Sequence, residues 1–268
     1  MLVGASRHRH RPFSRLASPT FDLVGLHAAL TAPELGGFAA APPRIDQPAF
    51  DLNMELESFF REREPEAQLL LYLAGHVLVD EQGALALLTY GTERGRWRSS
   101  IIDFGFVRDV MDQCSAERQV LILDARIGAL GPGPLGAPVD LDAALGGSRR
   151  VVLAASNRVG FRLEGDAVTG DASAAPLAQR LVQGLRSGDA DVDGDGRISV
   201  ADLARHIGGG APASAALGAI VIAHRASQAL GPAAPIERPS RPNVPRRRSW
   251  ASHAASSVAS WFAEHVGL

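Results

Sequence analysis

The chain contains no lysine; all 27 of its basic residues are arginine. No side chain is therefore available for acylation or protein tagging through lysine. Together with the abundance of Ala, Gly and Pro, this is the compositional bias of a high-GC bacterial genome. A single cysteine, Cys114, rules out an internal disulfide and fits a cytoplasmic setting. No apolar run approaches the roughly 20 residues needed to span a bilayer. The opening Met1-Leu-Val-Gly-Ala-Ser lacks the basic segment and apolar core of a signal peptide. With 29 acidic residues against 27 basic ones the formal net charge is −2, so the surface as a whole is not one that would attract nucleic acid.

What is present is an ordinary globular composition, 46% hydrophobic and 21% charged over 268 residues, enough for one large domain or two small ones. Two apolar runs stand out, Gln68 to Asp80 and Gln119 to Gly128. Both have the continuous hydrophobicity of strands buried on two faces, and both end in polar or small residues. Parallel sheets place their sites at such strand ends. Around them, helical spacing is expected over 21–30, 50–63, 104–114, 174–186 and 200–207. Strands are expected at 1–5, 84–88, 97–102, 150–156 and 217–224, with only a poor candidate within 39–48. Residues 130–147 are rich in Gly, Pro and Ala without a period, and read as a flexible linker. Alternation of strands and helices predicts an α/β fold with a mainly parallel sheet covered on both faces.

The two strands carry a resemblance. The first reads Gly75-His76-Val77, the second Asp124-Ala-Arg126-Ile-Gly128. They resemble the caspase-like cysteine peptidases, especially bacterial metacaspase relatives, whose first strand ends Ser-Gly-His-Gly and whose second ends Asp-(Ser/Cys)-Cys-(His/Tyr)-Ser-Gly. The resemblance spans residues 2 to 226. It implies a three-layer α/β/α sandwich with about six strands, a large half at 1–129, the linker, and a small half at 148–226. It also places His76 at the general-base position and Arg126 where the nucleophilic cysteine should stand. A guanidinium stays protonated and is no nucleophile. Val77 replaces the glycine whose N–H would help hold an oxyanion, so two departures fall on one site. Gly75 and Asp124 keep the family's residues, and Asp124 would line a pocket for a basic side chain or pair with a nearby arginine such as Arg126. Cys114 falls at a helix end before its strand, and Ser115, Ser156 and Thr89 lack the spacing of a nucleophile elbow.

Asp191-Val-Asp193-Gly-Asp195-Gly-Arg197-Ile-Ser199-Val-Ala-Asp202 matches an EF-hand-type calcium loop. Its expected ligands are Asp191, Asp193, Asp195, the Arg197 carbonyl, Ser199 and Asp202. Asp202 replaces the usual glutamate at position 12, and the shorter arm predicts binding weaker than a sensor's. Beyond it, residues 231–245 hold five prolines and lead into Arg246, Arg247 and Arg248, a cut site for an Arg-specific protease. A helix over 249–266 would align Trp250, Val258, Trp261, Phe262 and Val266 as a face for its own core or for a protein partner, such as an active protease or effector. Its polar face lacks the basic residues of a membrane-surface helix.

The expected protein is thus a caspase-like pseudopeptidase that regulates, scaffolds or binds a partner in a stress or defence system. Two other readings stay open: a working endopeptidase with an unorthodox nucleophile and Arg/Lys specificity, and a calcium-dependent assembly module.

Overall fold

The computed structural model describes residues 1–10, 13, 22–172, 177–208 and 215–225. The tail positions named above, 246–248 and 249–266, lie outside them. The first compact unit runs Met1–Leu230.

The sheet is α/β, mixed but mostly parallel, and has nine strands, three more than the sequence predicts. Its spine is two long neighbours, β3 (Gln68–Val79) and β6 (Arg118–Leu130), paired in parallel over twelve positions. At roughly 3.3 Å per residue they run about 40 Å, long enough to serve two tiers. In the lower tier β3 is flanked by β1 (Leu2–Gly4), which pairs with the short edge strand β2 (Arg44–Ile45), while β6 is flanked by β7 (Arg150–Ala154). All of these are parallel. In the upper tier β3 pairs with β4 (Leu85–Leu88), which pairs with β5 (Ile101–Asp103), both antiparallel. On the other side β6 continues onto β8 (Val159–Glu164) and its hairpin partner β9 (Ala167–Gly170). β3 and β6 therefore run on past His76 and Asp124, to Val79 and Leu130.

Alternation along the strands sorts the core into layers. Tyr72, Ala74, Val120 and Ile122 face α1 (Leu23–Thr31), α5 (Leu177–Ser187) and α6 (Val200–Ile207) through Leu23, Leu26, Leu181 and Leu203. Leu71, Leu73, Leu121 and Leu123 face α2 (Ala49–Phe60), α3 (Phe104–Gln113) and α4 (Leu141–Leu145) through Leu52, Leu56, Val107 and Leu141. The result is a three-layer α/β/α arrangement.

Three expectations need correcting. Residues 130–147 are not a structureless linker. Asp140 caps α4 by accepting from the Ala143 N–H, and Leu141 and Leu145, one turn apart, are both buried. Leu217 lies in α7 (Ala215–Gly218), and β11 (Val221–His224) pairs with β10 (Arg197–Ser199) in a separate two-stranded sheet. Trp97 sits in a 3-10 turn, Arg94–Ser99, ahead of β5. Among the described residues no helix is long and apolar enough to cross a membrane.

Candidate functional site

β1 and β7 both stop at one level of the spine. Gly4 pairs with Ala74, and Ala154 pairs with Leu123. The next residues on that face of β3 and β6 are His76 and Arg126, which are in register with each other. The two therefore share a face just above the carboxyl ends of the parallel tier, where α/β proteins place their sites. The sequence expectation that they stand on neighbouring strands holds.

His76 is fully buried. Its Nε2 lies 3.0 Å from the Ala172 carbonyl, and its ring meets Phe161 edge-on at 5.8 Å between centroids. Its Nδ1 lies 3.4 Å from Nε2 of a second histidine, His8, whose Nδ1 is 3.0 Å from the Thr89 carbonyl. His8 reaches this place because the chain after β1 is clamped by Asp46. That carboxylate accepts from the Ser6 and Arg7 amides, the Ser6 hydroxyl and the Arg7 guanidinium. Burial acts against ionisation of Asp46, but these donors together hold its carboxyl below the usual range. Burial also lowers the proton affinity of His8, against the Thr89 carbonyl and Asp46, which favour the cation.

Arg126 crosses over Gly160, where a Cβ would stand 2.7 Å from its Cδ, and donates from Nη2 to Asp171 Oδ2 at 2.9 Å. Asp171 and Ala172 thus form a strap across the strand pair, one residue bonded to each of the two side chains. The strap is itself fixed by the Asp171 amide donating to the Gly160 carbonyl.

Asp124 is not in this group and does not pair with Arg126. It is 1% exposed; its Oδ2 accepts from the Tyr72 hydroxyl at 2.6 Å and from the Ala178 amide, in the first turn of α5, at 3.2 Å. Its Oδ1 has no hydrogen-bond partner. Burial pushes its carboxyl up to about 6, against the two donors, and burial, then Asp124, raises the Tyr72 phenol. Asp124 is therefore a buried tie between β6, β3 and α5, not the floor of an open pocket. Val77 also stands elsewhere. Its side chain packs in the core on the opposite face, and its backbone is flanked by Leu87 and Ile127. Gly75 has φ 152°, and a Cβ there would lie 3.2 Å from the Ala5 carbonyl, so glycine lets the chain after β1 pass close to β3. Cys114 is buried at the end of α3, four residues before β6 begins and on the order of 30 Å from Arg126 along the strand.

Sequence reasoning missed His8, Asp171, Ala172 and Tyr72. Tyr72 was findable: parallel pairing sets it diagonal to Asp124 on one face. Nothing local marks His8 or Asp171, whose roles depend on loops folding back over the sheet.

The acidic loop gathers three carboxylates. Ligand atoms of Asp191, Asp193 and Asp195 lie within 4.8 Å of one another, a group that could hold a metal ion. Gly194 and Gly196 take positive φ, and their amides donate to Asp191. Asp202 stands outside the group. It forms a capping box with Ser199 at the start of α6 and accepts from Arg205 at 3.0 Å.

Comparison with protein-family models gives no match, and comparison with curated proteins gives no similar sequence.

Proposed function

We propose that the chain is a caspase-like pseudopeptidase: a regulatory, scaffold or partner-binding protein of a stress or defence system. One observation carries this reading. A histidine and an arginine stand in register at the carboxyl edge of the parallel tier, where the motif resemblance puts base and nucleophile, and the arginine is held by Asp171. Protein partners are assigned to the aromatic tail sequence, Trp250 to Val266, on sequence grounds alone, with an active protease or effector as the expected class. Arg246 to Arg248 are its proposed cleavage step.

Arg126→Cys tests the site assignment. A thiol at 126 would share a face with the His76 imidazole, and the pair would lower the thiol's pKa. A thiol-directed peptide probe is expected to label Arg126→Cys at residue 126, to lose most of that labelling in the added His76→Gln background, and to leave the parent protein unlabelled. Labelling of the parent protein, or equal labelling at 126 with and without His76, contradicts the assignment. Adding Val77→Gly would empty a core position and destabilise by about 2–4 kcal/mol.

We further propose that the ion at Asp191, Asp193 and Asp195 is calcium, with the Arg197 carbonyl as a fourth oxygen. The loop spacing and hard oxygen donors support this reading. Binding is expected to be weak, since Asp202 is engaged elsewhere and Arg225 and Arg205 stand 3.8 Å from Asp191 and Asp193. At a roughly tenfold excess over Kd calcium would stabilise the fold by about 1.4 kcal/mol. An unchanged melting temperature in millimolar calcium, with Asp193→Ala behaving like the parent, contradicts it.

A further inference from the structure

β7 bounds one side of the parallel tier, and only one side of its backbone is used. The Arg149 carbonyl accepts from the Gln119 amide, and the Ala155 amide donates to the Leu123 carbonyl. Bonds to β6 therefore fall on Arg149, Val151, Leu153 and Ala155, and the N–H and C=O of Val152 and Ala154 point away from it. Among the described residues no strand pairs with that outer side and no hydrogen bond reaches those groups. They border a groove of about 860 Å³ along β7, walled by residues 138–142 and by Gly208 at the end of α6. Open edges are normally blunted by short strands, proline, charge or bulges. The opposite edge of the same tier shows this: β2 is two residues long and is flanked by Pro42, Pro43 and Pro48. β7 has five residues, Arg-Val-Val-Leu-Ala, with no proline and no break in its register.

We infer that the outer edge of β7 is a docking site for an extended peptide segment of a partner protein, one that alternates basic and small apolar residues. The segment adds a strand to the sheet, exchanging main-chain hydrogen bonds with Val152 and Ala154.

The walls of the groove set the chemistry of the segment. Along β7, Val152 and Ala154 pack against the layer of α3 and α4, whereas Val151 and Leu153 face the layer of α5 and α6. An added strand inherits this alternation. On the α4 side the wall carries Asp140 and Asp142, whose carboxylates have no cation partner among the described residues. Arg150 is the sole cation among the described lining residues; its side chain is 3% exposed and donates to Asp112 and to the Gly146 carbonyl. Basic side chains on that face of the segment therefore meet two free carboxylates. The other face meets Val151, Leu153 and Ala155, which suit small apolar residues. The same charges disfavour a second copy of this chain. Antiparallel pairing of β7 with its own copy keeps like layers on the same side of the sheet, and so sets the two acidic walls near each other. Docking here does not rest on the lost-nucleophile reading, since the edge lies outside the His76 and Arg126 face.

Amide hydrogen exchange by NMR on the full chain tests it, with two end-capped peptides as probes, Val-Arg-Val-Arg-Val and Val-Glu-Val-Glu-Val. The Val152 and Ala154 amides are expected to exchange readily in the free protein. At about 1 mM, the basic peptide is expected to slow both by about tenfold, while the amides of Val151 and Leu153, already bonded to β6, change little. The acidic peptide is expected to leave all four unchanged. Asp140→Asn with Asp142→Asn, which keeps a capping side chain for α4, is expected to weaken binding of the basic peptide by about threefold or more. Val152→Pro removes an N–H that β6 does not use, and is expected to abolish the protection at Ala154. Should that variant not fold, the peptide arms on the parent protein decide alone. Three results overturn the inference: Val152 and Ala154 protected without peptide, whether by the chain's own residues or, with rising protein concentration, by a second copy; no protection by the basic peptide; or equal protection by the acidic one. None of these readouts involves peptide turnover, so their failure leaves the pseudopeptidase reading to its own test.

Discussion

A buried carboxylate with no cation among its described partners makes stability depend on pH. Asp124 sits among Tyr72, the start of α5 and apolar side chains, with one oxygen unpartnered. Burial holds its carboxyl up at about 6, above the ordinary aspartate range of about 3.9. The folded state therefore binds the proton more tightly than the unfolded chain does. The stabilisation is complete below about pH 3.9 and is lost as pH rises through about 6. Asp124→Asn keeps an oxygen for both donors and removes the charge. Its stability relative to the parent should improve by about 1–2 kcal/mol between pH 5 and pH 8 in urea unfolding. A constant difference across that range would show that the carboxylate is solvated. Asp171 is the contrasting case. Its side chain is 63% exposed, so its ion pair with Arg126 contributes little. Asp171→Ala should change stability by less than about 1 kcal/mol, yet make Arg126 react faster with an arginine-directed dicarbonyl reagent. An unchanged rate would mean that the strap does not shield the guanidinium.

At the scale of elements, legibility followed locality. Asp22 before α1, Asp103 before α3 and Ser199 before α6 cap helices whose apolar spacing is plain, and those helices fall close to where the sequence puts them. β3 and β6 were equally plain because burial on both faces leaves continuous apolar runs. β8 and β9 went unassigned. The signal was there, since Val159, Phe161 and Leu163 alternate with more exposed residues before a glycine turn at Gly165, but the strands are short and one of the pair is mostly exposed. α4 was hidden by the Gly, Pro and Ala around it. Leu145→Ala tests whether that segment is structural: a fully buried leucine on a packed helix should cost about 2–4 kcal/mol. A cost near zero would return residues 130–147 to the status of a linker.

At the scale of the whole molecule, one arrangement governs the rest. Two strands outlast their parallel neighbours, and the step where those neighbours stop exposes a face carrying His76 and Arg126. The sequence disclosed the strands and the two side chains but not what closes over them. The loop with His8 and the strap with Asp171 come from far along the chain, and long-range approach leaves no periodic trace. Both closures cover the face that the proposed function takes as the lost active site, and Cys114 is buried at the other end of β6. The most direct measurement of the central claim is turnover of Arg, Lys and Asp peptide reporters by the purified protein, with His76→Ala as the control. The account expects no turnover above the control at any reporter. Turnover that His76→Ala abolishes would contradict it, because a working nucleophile would then have to stand beside His76.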